Sequence, residues 1–461
     1  MHTFRQSLQS QATVLVALAL LTARGGDAQG PVFATLYSFK GGSDGASPNG
    51  VTLGENGALY GTTDVGGTNL CGVNVGYLCG TVFELAHKAG GGWTKTVLHS
   101  FNGADGAEPS SNPAGAPGPR PVFGSNGALY GTTATGGSND SSGNPLFGGA
   151  VYELTPPATA GGVWTETVLY SFPSSFDAPH TPLGGVFVGP TGAVYGTAFS
   201  NHYYEVLEGG TVFSLTPPGT PGGSWTERTL FDFWSDTALG MNPQASLVSA
   251  GGSFYGTTYD TNAGGCGSVY ELSPPTSAGG AWTGTNIYNF DNGGGCNSLA
   301  PVTVGPAGVL YGTTYDGGTG TVCIPGCGTV FQLTPPAVAG GAWTEAVIYS
   351  FTGINGDGAL PAAGVVLGEN GVLYGTTTYG GNATSVCNNP YNLASGCGTV
   401  FQLTPPASPG GTWTETVLHS FTGPTGDGSA PGPLTLGRGV LYGPTLTGGT
   451  AGKGTIFAVK P

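Results

Sequence analysis

The chain has 461 residues, 89 of them glycine, with only 8% charged residues and a formal net charge of −15. Ten Lys and Arg spread over that length form no basic stripe, which excludes phosphate-neutralising nucleic-acid binders and leaves cations, cationic partners or neutral ligands such as glycans. Disorder is excluded as well, because it requires low hydrophobicity with high charge, and here aromatic residues recur at fixed spacing.

At the N-terminus, His2 and Arg5 precede an apolar run over 12–23 and a small-x-small site at Gly26-Asp27-Ala28. This pattern predicts a secretory signal peptide over 1–28, cleaved after Ala28. The competing reading, a membrane anchor, needs a longer apolar run to cross the bilayer. No later segment reads as a transmembrane helix, and no anchor is read after Pro461. A secreted monomer, periplasmic or extracellular, is expected.

From residue 33 the chain repeats itself. FATLYSF at 33–39 returns as VLHSF, VLYSF, TLFDF, IYNF, VIYSF and VLHSF, ending at 101, 172, 233, 290, 351 and 421. Trp-Thr opens six of these segments, at Trp93, Trp164, Trp225, Trp282, Trp343 and Trp413, and Pro31 takes that place in the first. LYGTT stands at 59–63, 129–133, 310–314 and 373–377, with altered forms at 194–198, 254–258 and 441–445. GTVF begins at Gly80, Gly210, Gly328 and Gly398, with GAVY at Gly149, GSVY at Gly267 and GTIF at Gly454.

In the sixth unit these pieces predict four strands, at about 363–367, 372–376, 399–403 and 413–421. Asn370-Gly371 marks a two-residue hairpin between the first two, and Asn56-Gly57 and Asn126-Gly127 repeat it. Period-two alternation would put Trp413, Val417, His419 and Phe421 on one face. Units of 57 to 71 residues with four short strands predict the blades of a β-propeller. The last unit stops after three strands, while 33–39 is an orphan fourth. We therefore expect an all-β, seven-bladed β-propeller of four antiparallel strands per blade, its ring closed by the N-terminal strand pairing with the last blade. It forms a single domain over 29–461, with blades near 40–101, 102–172, 173–233, 234–290, 291–351, 352–421, and 422–461 plus 31–39.

The order of strand, LYG–GG turn, V-aromatic strand and Trp strand resembles the kelch-type blade. More specifically, the repeated LYGTT…GG…GTVF-x-L segments are similar to those of the GloVer tandem-repeat family of exported bacterial proteins. That resemblance implies the fold and no particular activity.

Eight cysteines suit an exported protein. Cys71/Cys79, Cys323/Cys327 and Cys387/Cys397 fall in pairs before GTVF, which leaves Cys266 and Cys296 as mates. The competing zinc reading of CIPGC at 323–327 lacks a second ligand pair.

In such a blade the two-to-three and four-to-one connections emerge on one face. These connections vary between units, while those on the other face are near copies. The variable face is the expected binding face. An Asp recurs after the fourth strand, at Asp44, Asp105, Asp177, Asp236, Asp357 and Asp427. It reads as turn chemistry or as a carboxylate ring at the channel mouth able to take Ca²⁺; no other cofactor is indicated. The third unit departs most, with Asp177, His180, His202, Tyr203, Tyr204, Glu205 and Glu208 in its variable loops and Trp234 and Asp236 on the next rim. Histidines, carboxylates and aromatics could bind a metal or sugar or perform acid–base chemistry, or the unit is a drifted repeat whose loop packs on its neighbour. His99 and His419, in place of the YSF tyrosine, read as structural. GxSxG, HExxH and phosphate loops are absent from the sequence. The expected function is non-catalytic binding of a glycan or extracellular protein through the variable face. The alternatives are a glycan hydrolase or lyase using the third unit, and a structural envelope protein.

Overall fold

The computed structural model describes residues 30–461 except 72–77, 110–116, 138–147, 160, 174–180, 200–208, 221, 262–264, 278, 339, 383–386, 388–394 and 409. The expected signal peptide therefore lies outside the described residues. Seven antiparallel sheets stand in a ring, one per blade, each in the order strand one to strand four. Blade 1 is Ala46–Leu53, Leu59–Val65, Thr81–His87 and Trp93–Ser100. Blade 4 is Val248–Ala250, Ser253–Thr258, Ser268–Ser273 and Thr283–Asn289, and blade 5 is Thr303–Val304, Leu310–Thr314, Thr329–Thr334 and Thr344–Ser350. Blade 7 joins Thr435–Gly437, Val440–Thr447 and Thr455–Lys460 to the N-terminal strand Val32–Ser38. That strand pairs antiparallel with the last, from Val32 opposite Lys460 to Ser38 opposite Thr455, so the chain's two ends close the ring. Closure gives the last blade its fourth strand.

The repeated motifs are packing instructions. The glycine of LYGTT is needed because the GTVF aromatic lies across it: a Cβ on Gly61 would sit 2.7 Å from Phe83 Cζ, and one on Gly196 would sit 2.6 Å from Phe213 Cζ. Each such aromatic also receives the YSF phenylalanine of the preceding blade edge-on, as in Phe39–Phe83 at 5.2 Å and Phe421–Phe457 at 5.1 Å. The two threonines of LYGTT do different work. The first donates to a carbonyl at the inner edge of the next blade: Thr197 to Ala245, Thr257 to Ala300, Thr313 to Ala363 and Thr376 to Gly432, at 2.9–3.1 Å. The second meets the opening hydroxyl of strand three, as in Thr314 with Thr329 at 2.8 Å and Thr377 with Thr399 at 2.9 Å.

The glycine of GTVF is a blade–blade contact. Gly80 has φ +95°, and a Cβ there would lie 2.6 Å from Cδ of Pro109, a residue of the following blade. The residue before each such proline is itself left-handed, as at Ser47, Glu108, Thr181, Leu360 and Ala430, with φ between 50° and 61°. Its N–H donates to the carbonyl just before the GTVF glycine, for example Glu108 to Cys79 and Leu360 to Cys327. These bonds hold residues in a costly backbone region.

Two local expectations are corrected. Strand four carries one extra residue in every blade; in blade 6, Phe401 pairs with Val417 but Val400 pairs with His419, leaving Leu418 as the bulge. A bulge flips every later side chain. Trp413 therefore packs toward blade 5 with Phe401, while Phe421 packs toward blade 7 with Val400, and the four residues do not share a face. At Asn56-Gly57, only the glycine is left-handed, because the Asn56 side chain spans the turn, accepting from Ala58 N–H at 3.0 Å and donating to Tyr60 OH at 2.9 Å.

All four expected disulfides are present: Cys71–Cys79, Cys266–Cys296, Cys323–Cys327 and Cys387–Cys397. They point to an oxidising compartment. Among the described residues no helix is long and apolar enough to cross a membrane.

Candidate functional site

The first strands of blades 2 to 6, with the residues leading into them and Pro433 and Leu434 of blade 7, line a channel cavity of about 640 Å³. Its wall is largely aliphatic, including Val186, Leu247, Val302 and Val365. Such a cavity falls in the size range of small-molecule sites.

Around the mouth on the variable face, blades 4, 5 and 6 each place a tyrosine just past LYGTT. Tyr259 and Tyr315 pack on Leu299 and Ala362, both of which line the cavity. Tyr379 joins Tyr315 on the cluster around Cys323 and Cys327. All three are half-buried. Burial, joined by the neighbouring tyrosines and Asp316, pushes the Tyr315 hydroxyl pKa well up. These phenols therefore stay neutral and able to donate.

Two carboxylates follow directly in sequence. Burial pushes Asp316 up to about 6, and its backbone pairs with Cys296 of the 266–296 disulfide. Asp260 is raised by burial, partly offset by Asn242 Nδ2, which donates to its two oxygens at 3.3 and 3.2 Å. In blade 1 the equivalent stretch holds Asp64, pushed up to about 7 by burial and by Glu108, and partly relieved by Asn49 Nδ2 at 2.7 Å.

Of the residues singled out in the sequence, Asp177, His180, His202, Tyr203, Tyr204, Glu205 and Glu208 lie outside the described residues. Trp234 is described and is 55% exposed; its N–H donates to Asp232 at 2.9 Å. Asp236 caps the short turn Thr237–Leu239 by accepting from Ala238 N–H. The sequence reading passed over Tyr259-Asp260 and Tyr315-Asp316. Their signal was a Tyr-Asp pair following LYGTT in two adjacent units.

Of the recurring aspartates, Asp44, Asp105, Asp357 and Asp427 accept turn N–H groups from Lys40, Asn102, Thr352 and Thr422 at 2.7–2.8 Å. Each also meets strand-four side chains. Tyr37 donates to Asp44 at 2.7 Å and Lys95 of the next blade pairs with it at 3.1 Å. His419 bonds Asp427 at 2.6 Å and stacks on Phe33 at 3.7 Å. At one joint His99, Asp105 and Glu166 bring potential ligand atoms within 4.8 Å of one another. Other joints hold Tyr, Asp and Glu at these positions, so the arrangement is the blade joint itself with one tyrosine exchanged for histidine.

The fold thus defines a disulfide-braced seven-bladed β-propeller with an aromatic and acidic channel mouth. Its sequence matches the Gloeobacter/Verrucomicrobia repeat over residues 116–387, more than half of the chain, and the chain belongs to that family. Among proteins of curated function, none matches. Several solved structures are similar to it at low identity. Pseudomonas fluorescens PhoX in complex with vanadate is 11% identical, covers 94% of this chain and 95% of its own, and has TM-score 0.42. An oxidoreductase (glucose dehydrogenase) of Thermus thermophilus is 14% identical over 93% and 100%, TM-score 0.39. The Hadza microbial sialidase Hz136 is 13% identical over 90% and 65%, TM-score 0.37.

Proposed function

We propose that this propeller is a secreted, non-catalytic binding protein that takes a glycan at the channel mouth of its variable face. The observation that carries this reading is the row of Tyr259, Tyr315 and Tyr379 on three consecutive blades, with Asp260 and Asp316 beside them. Tyrosine faces offer apolar area to the faces of sugar rings while their hydroxyls remain polar handles. Carboxylates accept hydrogen bonds from sugar hydroxyls. Export by the N-terminal signal and action as a monomer complete the proposal. A glycan array followed by calorimetry on the best hit tests it. Tyr315→Ala and Asp316→Asn should each weaken binding about tenfold or more. Tyr315→Ala should also lower the melting temperature because the ring packs on Leu299 and Ala362, whereas Asp316→Asn should not lower it. Unchanged affinity in both would remove the mouth from the binding site.

A second reading has one observation in its favour. A partly buried carboxyl held near 6, as Asp316 is, has the protonation poise of a general acid or base. In that reading the chain cleaves the glycan it binds. Product release from the array hit, abolished by Asp316→Asn with binding retained, distinguishes the two.

A further inference from the structure

The channel contains one feature that glycan binding at the mouth does not use. Among the described residues lining the cavity, Arg120 alone is charged. It leaves blade 2 just before strand Val122–Phe123 and crosses the inner edge of blade 1, where a Cβ on Gly50 would lie 3.1 Å from Arg120 Cβ. On the far side its Nη1 donates to Leu434 O at 3.2 Å and Thr435 Oγ1 at 3.3 Å, both in blade 7. Arg120 is an exposed residue, yet protein atoms stand close enough to the guanidinium for burial to lower its pKa. No ion pair reaches it among the described residues.

Both bonds use Nη1. The Nε–Nη2 edge has no partner among the described residues, and that edge is the fork that fits a carboxylate in a bidentate pair. The same cavity is lined by Val188, Leu247, Val302, Val304 and Val365. A cation at the edge of a largely aliphatic chamber, with no acidic side chain paired to it among the described residues, is a ready counter-charge for an anionic headgroup whose tail the chamber takes.

We propose that the lumen binds an alkyl carboxylate, its headgroup held by the Nε–Nη2 edge of Arg120 and its chain laid against the valine wall of blades 3 to 6. The site is separate from the tyrosine mouth and does not depend on glycan binding there.

Calorimetry on the full chain with decanoate, decanol and acetate, each below any micelle-forming concentration, tests this. Decanoate should bind one per chain. Decanol should bind about tenfold or more weaker for want of the charged hydrogen bonds, and acetate not measurably. Octanoate should bind roughly an order of magnitude more weakly than decanoate, at about fourfold per buried methylene. Arg120→Met should bring decanoate down to the level of decanol while glycan affinity at the mouth is retained. If that variant fails to fold, Val304→Trp, which fills part of the same cavity, should weaken decanoate and decanol alike. Equal affinity for decanoate and decanol, several decanoates per chain, or full decanoate affinity in Arg120→Met or in Val304→Trp would overturn the proposal.

Discussion

Gly61 lies under the ring of Phe83, and that contact explains why a glycine interrupts an otherwise β-favouring LYGTT strand. A methyl group there would start 2.7 Å from the ring carbon, in a core where both Phe83 and its neighbour Phe39 are fully buried. The ring cannot retreat, because Phe39 holds its other side edge-on at 5.2 Å. Gly61→Ala is therefore expected to lower stability by about 1–3 kcal/mol, the usual effect of overpacking, measured as a shift in the urea midpoint at constant slope. Ala58→Ser, at a buried turn position of the same hairpin, adds an atom without meeting that ring and should cost less. Equal effects would show that the ring contact is not what demands glycine.

At the scale of the element, the blade was legible and its twist was not. LYGTT and GTVF recur because the glycine–aromatic contact and the threonine pairs recur, so period and strand count could be read directly. The bulge in strand four adds one residue, at Leu418 in blade 6; a leucine or isoleucine fills that place in every blade, and nothing in a period-two pattern marks it. The channel mouth was missed for a related reason. The sequence reading looked where units diverge most, whereas Tyr315 and Asp316 adjoin the constant motif. The disulfides were legible because each closes a local loop before GTVF, apart from Cys266–Cys296. That bridge spans 30 residues and ties the loop between strands two and three of blade 4 to the entry of blade 5, beside Asp316. In the chain-entropy description it is worth about 3–4 kcal/mol, against about 2 for the four-residue separation of Cys323–Cys327. Replacing both cysteines of each pair by alanine should lower the denaturation midpoint more for 266–296. Glycan affinity should fall in the 266–296 variant as well, since the loop pairing with Asp316 through Cys296 is then unbraced.

Over the whole molecule, the joints between blades contribute to how stability responds to pH, alongside Asp64, Asp260 and Asp316. Burial and the neighbouring Asp105 push Glu166 up to about 7, and burial with Asp357 does the same to Glu415, against an ordinary 4.5. Between those values the folded chain keeps protons that the unfolded chain has released, so stability falls as pH rises through this window. Asp44 and Asp427 act in the opposite direction. Burial would raise both, but hydrogen bonds from Tyr37 and the Lys40 N–H, and the charge of Lys95, outweigh it at Asp44; His419 and Thr422 outweigh it at Asp427. Their stabilisation is present above the ordinary 3.8 and is lost as pH falls through the lower folded values. The two limbs place the maximum melting temperature at about pH 4–5. A melting series from acid to neutral pH at fixed ionic strength should show that dome. The double variant Glu166→Gln/Glu415→Gln should make the neutral limb shallower, with Asp64 and Asp316 keeping the rest of it, and leave the acid limb unchanged. Glu55→Gln, which removes an exposed charge, should do neither. If the double variant keeps the full slope toward neutral pH, the decline comes from the raised carboxyls outside the joints, such as Asp64, or from general repulsion in a chain of net charge −15, and the blade joints do not control it.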